Sequence, residues 1–285
     1  MFADDTNLFF EHKDIKVLFE TVNKELNKIS EWFAANKLSL NVEKTKFTLF
    51  HKSSRKDYIP LALPKLKIND NEIKRVDSIK FLGVLIDENL TWKEHIKYIE
   101  NKIAKNIGLM FRAREFLDRK SLLALYYSYI HTYLNYSNLT WGSTYRTNLK
   151  KLNSLQKQAV RIIFNKSKFD HTRELFLLGN ILNLYKLNIF NTALFMQRIH
   201  TKQAPPILQK KFKQITHHYP TRTSNLNYEK PKLVLTKAKY KISFRGPSVW
   251  NEFLDDSLKS IEYTPLFKIK TKYKLLDFNQ EMRYF

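Results

Sequence analysis

The chain has 285 residues, 43% of them hydrophobic and 14% aromatic, which is enough apolar mass to bury a core and excludes a disordered chain. It has no Cys and only 5 Gly, which excludes disulfide partners, thiolate metal sites and cysteine nucleophiles, and argues against a glycine-rich phosphate loop. Lys and Arg total 50 against 27 Asp and Glu, a formal net charge of +23, so the favoured partners are polyanions: nucleic acid first, an acidic membrane surface second.

Met1-Phe2-Ala3-Asp4-Asp5 carries acids where a signal peptide carries basic residues, and no apolar run is long enough to span a bilayer. The expectation is an intracellular chain, cytoplasmic or nuclear, with no membrane partner. Asp4-Asp5-Thr6-Asn7 reads as a turn, and Leu8-Phe9-Phe10 after it as a strand. Asp14 is placed to cap a helix in which Ile15, Leu18, Val22, Leu26, Ile29 and Phe33 recur at spacings of three and four, with Asn36 as its stop. One face of that helix is apolar and the other charged, so it is expected to lie against a sheet. Short strands are predicted at 38–40 and 45–50, a loop at 53–64, and a hairpin of 66–68 with 73–76 around Asn69-Asp70-Asn71. A further strand is predicted over 79–86, in which Gly83 suggests a bulge or a close backbone approach.

Beyond Asp87 the periodicity becomes helical. Trp92, Ile96, Ile99, Ile103, Ile107 and Met110 form one stripe. A second, aromatic-rich helix is expected over 121–140, and a third is marked by Leu149, Leu152, Leu155, Ala159 and Ile162. A fourth runs over 172–202, broken near Gly179-Asn180 and ended by Pro205-Pro206. Residues 220–231 read as a polar linker. A terminal module holds Phe244-Arg245-Gly246-Pro247-Ser248-Val249-Trp250-Asn251, a surface cap at Asp255-Asp256, and a final basic helix or strand. The organisation is thus 1–87 mixed α and β, 88–204 helical, and 205–285 a linker with a small basic module.

Two features carry chemistry. Adjacent carboxylates on a tight turn, Asp4 and Asp5, suit Mg²⁺, although Asp-Asp in a turn is more often a turn former or cap. Basic residues on helix faces, Arg112, Arg114, Lys150, Lys151, Lys157 and Arg161, suit a phosphate backbone, or else are solvated faces with no ligand. Tyr126, Tyr127, Tyr129 and Tyr133 read as core, and His217-His218 as loop.

The sequence resembles the reverse transcriptases of non-LTR retrotransposons of the LINE type, jockey- or CR1-like. Phe2-Ala3-Asp4-Asp5 before an apolar stretch is similar to the catalytic aromatic-x-Asp-Asp hairpin. Asn36-Lys37-Leu38-Ser39-Leu40-Asn41 with Lys44-Thr45 matches the N-x-L-x-L-N-x-x-K-T palm pattern. Lys80-Phe81-Leu82-Gly83-Val84-Leu85-Ile86-Asp87 resembles the hairpin that grips the primer, residues 93–140 the thumb helices, and Phe244-Arg245-Gly246-Pro247 with Val249-Trp250-Asn251 a tail common after the polymerase. The resemblance implies an α+β fold: a partial polymerase palm (an incomplete antiparallel sheet with a packed helix), then a mostly α-helical thumb-like region and a tail. It implies Asp4 as the main Mg²⁺ ligand with Asp5 beside it, Lys44 near the incoming nucleotide, Phe81, Leu82 and Gly83 in the primer grip, and RNA and DNA as partners. It also places a further metal-binding Asp and the fingers ahead of Asp4. The 285 residues alone are therefore expected to be inactive, either as a polymerase fragment or as a non-catalytic nucleic-acid-binding or structural remnant, with self-association through an exposed palm edge as a further expectation.

Overall fold

The computed structural model describes residues 6–51, 63–215, 226–232 and 236–277, and the chain divides into two compact units, residues 1–94 and 95–285. Among the described residues no helix is long and apolar enough to cross a membrane. The fold is α+β, and among the described residues the strands lie in the first unit.

The first unit is built on α1, Ile15–Ala35. Its start is set by Asp14, whose Oδ1 accepts from the Lys16 and Val17 N–H groups at 2.7 and 3.1 Å. These bonds, that of Val17 foremost, hold the carboxyl below its ordinary value. The helix ends at Asn36, and Lys37 turns left-handed at φ 57°. Phe19 and Leu26 are buried against Leu66, Ile68 and Ile73. Burial of each such side chain contributes about 1.5–3 kcal/mol. The predicted stripe is therefore displaced toward Phe19, with Ile15 and Val22 at its margin.

Polar contacts set the register of this packing. The Asn23 amide donates to Lys65 O at 3.0 Å and accepts from Lys67 N–H at 3.1 Å, while Ser30 Oγ donates to Asn69 Oδ1 at 2.7 Å. They tie α1 to a hairpin tighter than the expected pairing of 66–68 with 73–76: its strands are β2, Lys67–Ile68, and β3, Asn71–Glu72, and Asn71 lies in the strand rather than the turn. Asn69 and Asp70, with φ of 47° and 63°, form its tight turn.

Among the described residues, three separate two-stranded pairs stand in place of the single incomplete antiparallel sheet expected from the sequence. One of them is parallel: β1, Lys46–Phe47, beside β4, Lys74–Arg75. The third is the antiparallel pair β5, Ser78–Phe81, and β6, Val84–Asp87. The strand predicted over 79–86 is thus a hairpin. Gly83 is neither a bulge nor mid-strand; it shares the turn with Leu82, and both have positive φ, 82° and 44°. Leu8-Phe9-Phe10 and Leu38-Ser39-Leu40 form no strand. Phe9 instead sets its ring edge-on to Phe81 at 5.9 Å. Hydrogen-bonded runs of two to four residues leave no long sheet edge among the described residues, so nothing there supports self-pairing through a palm edge.

The second unit is helical. The predicted stripe of α2, Lys93–Ala113, is buried at Ile96, Ile99, Ile103, Ile107 and Met110. The single helix expected over 121–140 is instead broken into α3, Arg119–Tyr126, a π turn at Tyr127–His131, α4, Thr132–Asn135, and α5, Asn138–Trp141. Ser137 is left-handed at φ 50°. The break turns Trp141 fully into the core, where its Nε1 donates to Tyr136 O at 2.9 Å. Two buried amides fill the space around it: Asn188 Nδ2 donates to Asn138 O and Oδ1 at 3.0 and 2.8 Å.

α6, Arg146–Ile163, follows, then α7, Arg173–Leu178, and α8, Leu184–His200, separated at Gly179 as predicted. Fully buried Gln156 on α6 links three segments. Its Nε2 donates to Tyr126 Oη and Leu182 O at 2.9 and 3.0 Å, and its Oε1 accepts from Leu184 N–H at 2.8 Å.

A short α9, Pro206–Gln209, follows α8, which is buried on most sides and packs against α10, Ile242–Phe253, and α12, Thr264–Asp277. The tail motif explains that docking. A Cβ at Gly246 would lie 2.7 Å from Met196 Sδ, so Gly lets α10 approach α8 this closely without displacing the Met196 side chain. Trp250 is fully buried, stacked on Phe267 at 6.2 Å. The described part of the predicted 220–231 linker is anchored rather than loose: Tyr228 is buried, and the Asn251 side chain both accepts from its N–H at 2.9 Å and donates to its O at 2.7 Å. Asp255 is the predicted cap. It accepts from Leu258 N–H at 2.9 Å at the start of α11, Asp256–Lys259, and pairs with Lys274 at 2.7 Å.

Candidate nucleic-acid interface

Asp4 and Asp5 lie outside the described residues, as do His217 and His218. Among the described residues no group of three His, Asp or Glu side chains gathers to hold a metal ion. Lys44 is exposed on the turn after α1, where its N–H donates to Asn41 Oδ1 at 3.0 Å. Its amine faces solvent in a different turn from the one that carries Leu82 and Gly83.

The β5–β6 hairpin presents its apolar tip outward. Leu82 is 43% exposed, and its left-handed backbone costs a non-glycine residue about 1–2 kcal/mol. The base of the hairpin is rigid. Buried Asp87 accepts from Asn89 and Thr91 N–H through Oδ1 at 3.2 and 2.9 Å, and from Trp92 N–H through Oδ2 at 2.8 Å. Beside it Glu88 pairs with Arg75 at 2.9 Å and lies 3.4 Å from His51. The Asp that closes the Phe-Leu-Gly motif is thus a structural clamp on the turn that follows the hairpin.

In the second unit Arg112 is exposed at the end of α2, and the Arg114 guanidinium lies 4.1 Å from the ring centre of half-exposed Phe111. At 3.6 residues per turn, Lys150, Lys157 and Arg161 fall within about 40° of one another on α6. Arg161 Nε is held by Asp170 O at 2.9 Å. Lys151 points elsewhere and pairs with buried Glu100 at 3.3 Å. Residues from three helices meet beside the stripe, a grouping that sequence spacing does not show. Lys157, Arg173 and Lys186 line one cleft, with Thr172, Asn183 and Leu276. Burial, and then Arg173, holds the Lys186 ammonium below the ordinary lysine value, with Asp277 opposing.

The chain is 24% identical over 177 residues to the RNA-directed DNA polymerase from mobile element jockey of Drosophila funebris, a stretch that covers 61% of this chain and 19% of that protein. It is 23% identical over 166 residues to the probable RNA-directed DNA polymerase from transposon X-element of Drosophila melanogaster, covering 57% and 18%. The chain is similar to the reverse transcriptases of jockey-type non-LTR retrotransposons. It matches about a fifth of the length of these relatives. No family model and no solved structure matches it.

Proposed function

We propose that residues 1–285 form a nucleic-acid-holding part of the RNA-directed DNA polymerase of a non-LTR retrotransposon, with a primer-gripping hairpin in the first unit and a thumb-like basic surface in the second. The observation that carries this reading is the β5–β6 tip. Apolar Leu82 leaves 43% of its surface in solvent on left-handed backbone that costs local strain, a combination that belongs to contact surfaces. The likeness to jockey and X-element polymerases supports the same assignment. The stripe of Lys150, Lys157 and Arg161 supplies cations spaced along one helix face for a phosphate backbone.

On this reading Asp4 and Asp5 contribute part of a Mg²⁺ site in the complete polymerase. The remaining carboxylate and the fingers belong to the four-fifths of the relatives' length that this chain does not match. The 285 residues alone then hold a primer–template without extending it.

The test is fluorescence anisotropy with an RNA–DNA primer–template across about 50–200 mM salt, followed by primer extension with Mg²⁺. Tight binding that weakens steeply with salt, with no extension, is expected. Absent or salt-independent binding overturns the holding role, and extension by the 285-residue chain overturns its dependence on further segments.

A further inference from the structure

The cleft beside the α6 stripe has a volume of about 190 Å³, and its charged lining residues are three cations: Lys157 from α6, Arg173 from α7 and Lys186 from α8. Among the described residues no carboxylate lines it. The facing charge that lies nearest is Asp277 at the end of α12, which acts on Lys186 from beside the cleft. Lys186 Nζ donates to Leu276 O at 3.3 Å and so stands at the floor, half-buried, while Arg173 is exposed at the rim. Thr172 and Asn183 add polar side chains to the wall, and Asn183 Oδ1 accepts from Lys186 N–H at 2.9 Å.

Three like charges from three helices at one partly buried place repel one another, and an anion held between them lowers that repulsion. The shift at Lys186 records that cost, with burial first and Arg173 second. The size and the charge suit one tetrahedral oxyanion, for which a guanidinium and two ammonium groups are strong, charge-assisted donors. Lys157 also belongs to the stripe that runs along α6. A strand following Lys150 and Arg161 therefore passes the mouth of the cleft.

We propose that this cleft binds a phosphate group of nucleic acid, either an internal phosphodiester or a 5′-terminal monoester, with Lys157, Arg173 and Lys186 as its ligands. The source of the phosphate rests on the nucleic-acid-holding role proposed above; the anion site rests on the cleft itself.

The experiment uses the whole 285-residue chain, a single-stranded oligonucleotide with a 5′-phosphate or a 5′-hydroxyl, and the variants Arg173→Gln and Lys186→Met, checked for helical content by circular dichroism. Arg173 is exposed, so its variant tests the site without disturbing the core. Each variant is expected to weaken binding about three- to tenfold and to reduce the salt slope by about one. Equal losses with both oligonucleotides assign an internal phosphodiester. A preference for the 5′-phosphate that vanishes in the variants assigns the terminal monoester. Unchanged affinity and slope in both variants, while Lys150→Gln weakens binding, overturns the cleft and leaves the holding role standing. If the unaltered chain binds neither oligonucleotide, the holding role falls, and the cleft is judged on inorganic phosphate. A phosphate-dependent rise in Tm that is lost in the variants then upholds it, and an identical response in all three proteins overturns it.

Discussion

Leu82 and Asp87 stand at opposite ends of one short hairpin and have opposite roles. At φ 44° Leu82 occupies a position that tight hairpin turns give to Asn or Gly. Leu82→Asn is therefore expected to stabilise the first unit by about 1 kcal/mol, read from the urea midpoint, while weakening primer–template binding severalfold. A stabilised variant with undiminished binding would show that the tip is not a contact. Asp87 serves the fold: three backbone N–H groups converge on its carboxylate. Asp87→Ala leaves those donors without their acceptor and is expected to cost roughly 2–3 kcal/mol in urea unfolding. A change within 0.5 kcal/mol, the range about which ordinary surface substitutions scatter, would refute the clamp.

Among the elements, α6 combines a buried polar hub with a basic stripe on its outer face. Gln156→Leu keeps the volume but leaves the Leu184 N–H, the Leu182 carbonyl and the Tyr126 hydroxyl without their partner, all in the core. A loss of about 2–4 kcal/mol is expected, with α3 and the α7–α8 connection showing faster hydrogen exchange. Protection lost only within α6 would contradict the hub. On the outer face Lys150 is exposed, whereas Lys151 is engaged with Glu100. Lys150→Gln should therefore lower nucleic-acid affinity more than Lys151→Gln. The latter should instead cost about 1 kcal/mol of stability, a modest figure because Lys151 is largely exposed. The reverse order of affinities would remove α6 as the contact face.

Taken whole, the second unit is expected to lose stability in acid because of its partly and fully buried histidines. Burial lowers the pKa of His95, His131 and His200 below the ordinary histidine value, reinforced at His131 by Lys272 and opposed at His200 by Glu262. In the window below 6.5 the unfolded chain binds protons that the folded chain refuses, so the stability is fully present above 6.5 and falls as pH drops through the folded values. Asp255 does not contribute in that window. Its bonds to Lys274, Ser257 and Leu258 hold its carboxyl far below the ordinary range, so its share is lost only in stronger acid. Urea midpoints are expected to decline from pH 7 to pH 5, and His131→Phe to flatten the decline. A profile already flat in the unaltered protein would sink this account.

What could be read from the chain alone was what depends on near neighbours. Asp14, the three–four spacing and Asn36 locate α1 to within a residue. The stripes of α2 and α6 and the stop at Gly179 follow from the same helical geometry, because caps and periodicity act over a few residues. The charge and the ordered motifs pointed to a polymerase relative on the same local footing. Partners distant along the chain could not be read in this way. The parallel pairing of Lys46–Phe47 with Lys74–Arg75 is set by how α1 packs on the hairpin, not by two-residue strands too short to carry a pattern. The break that turns Trp141 inward is bonded by the Asn188 amide from α8, and the meeting of Lys157, Arg173 and Lys186 depends on three helices converging. Tertiary packing decided these because each joins groups whose separation in sequence says nothing of their distance in space.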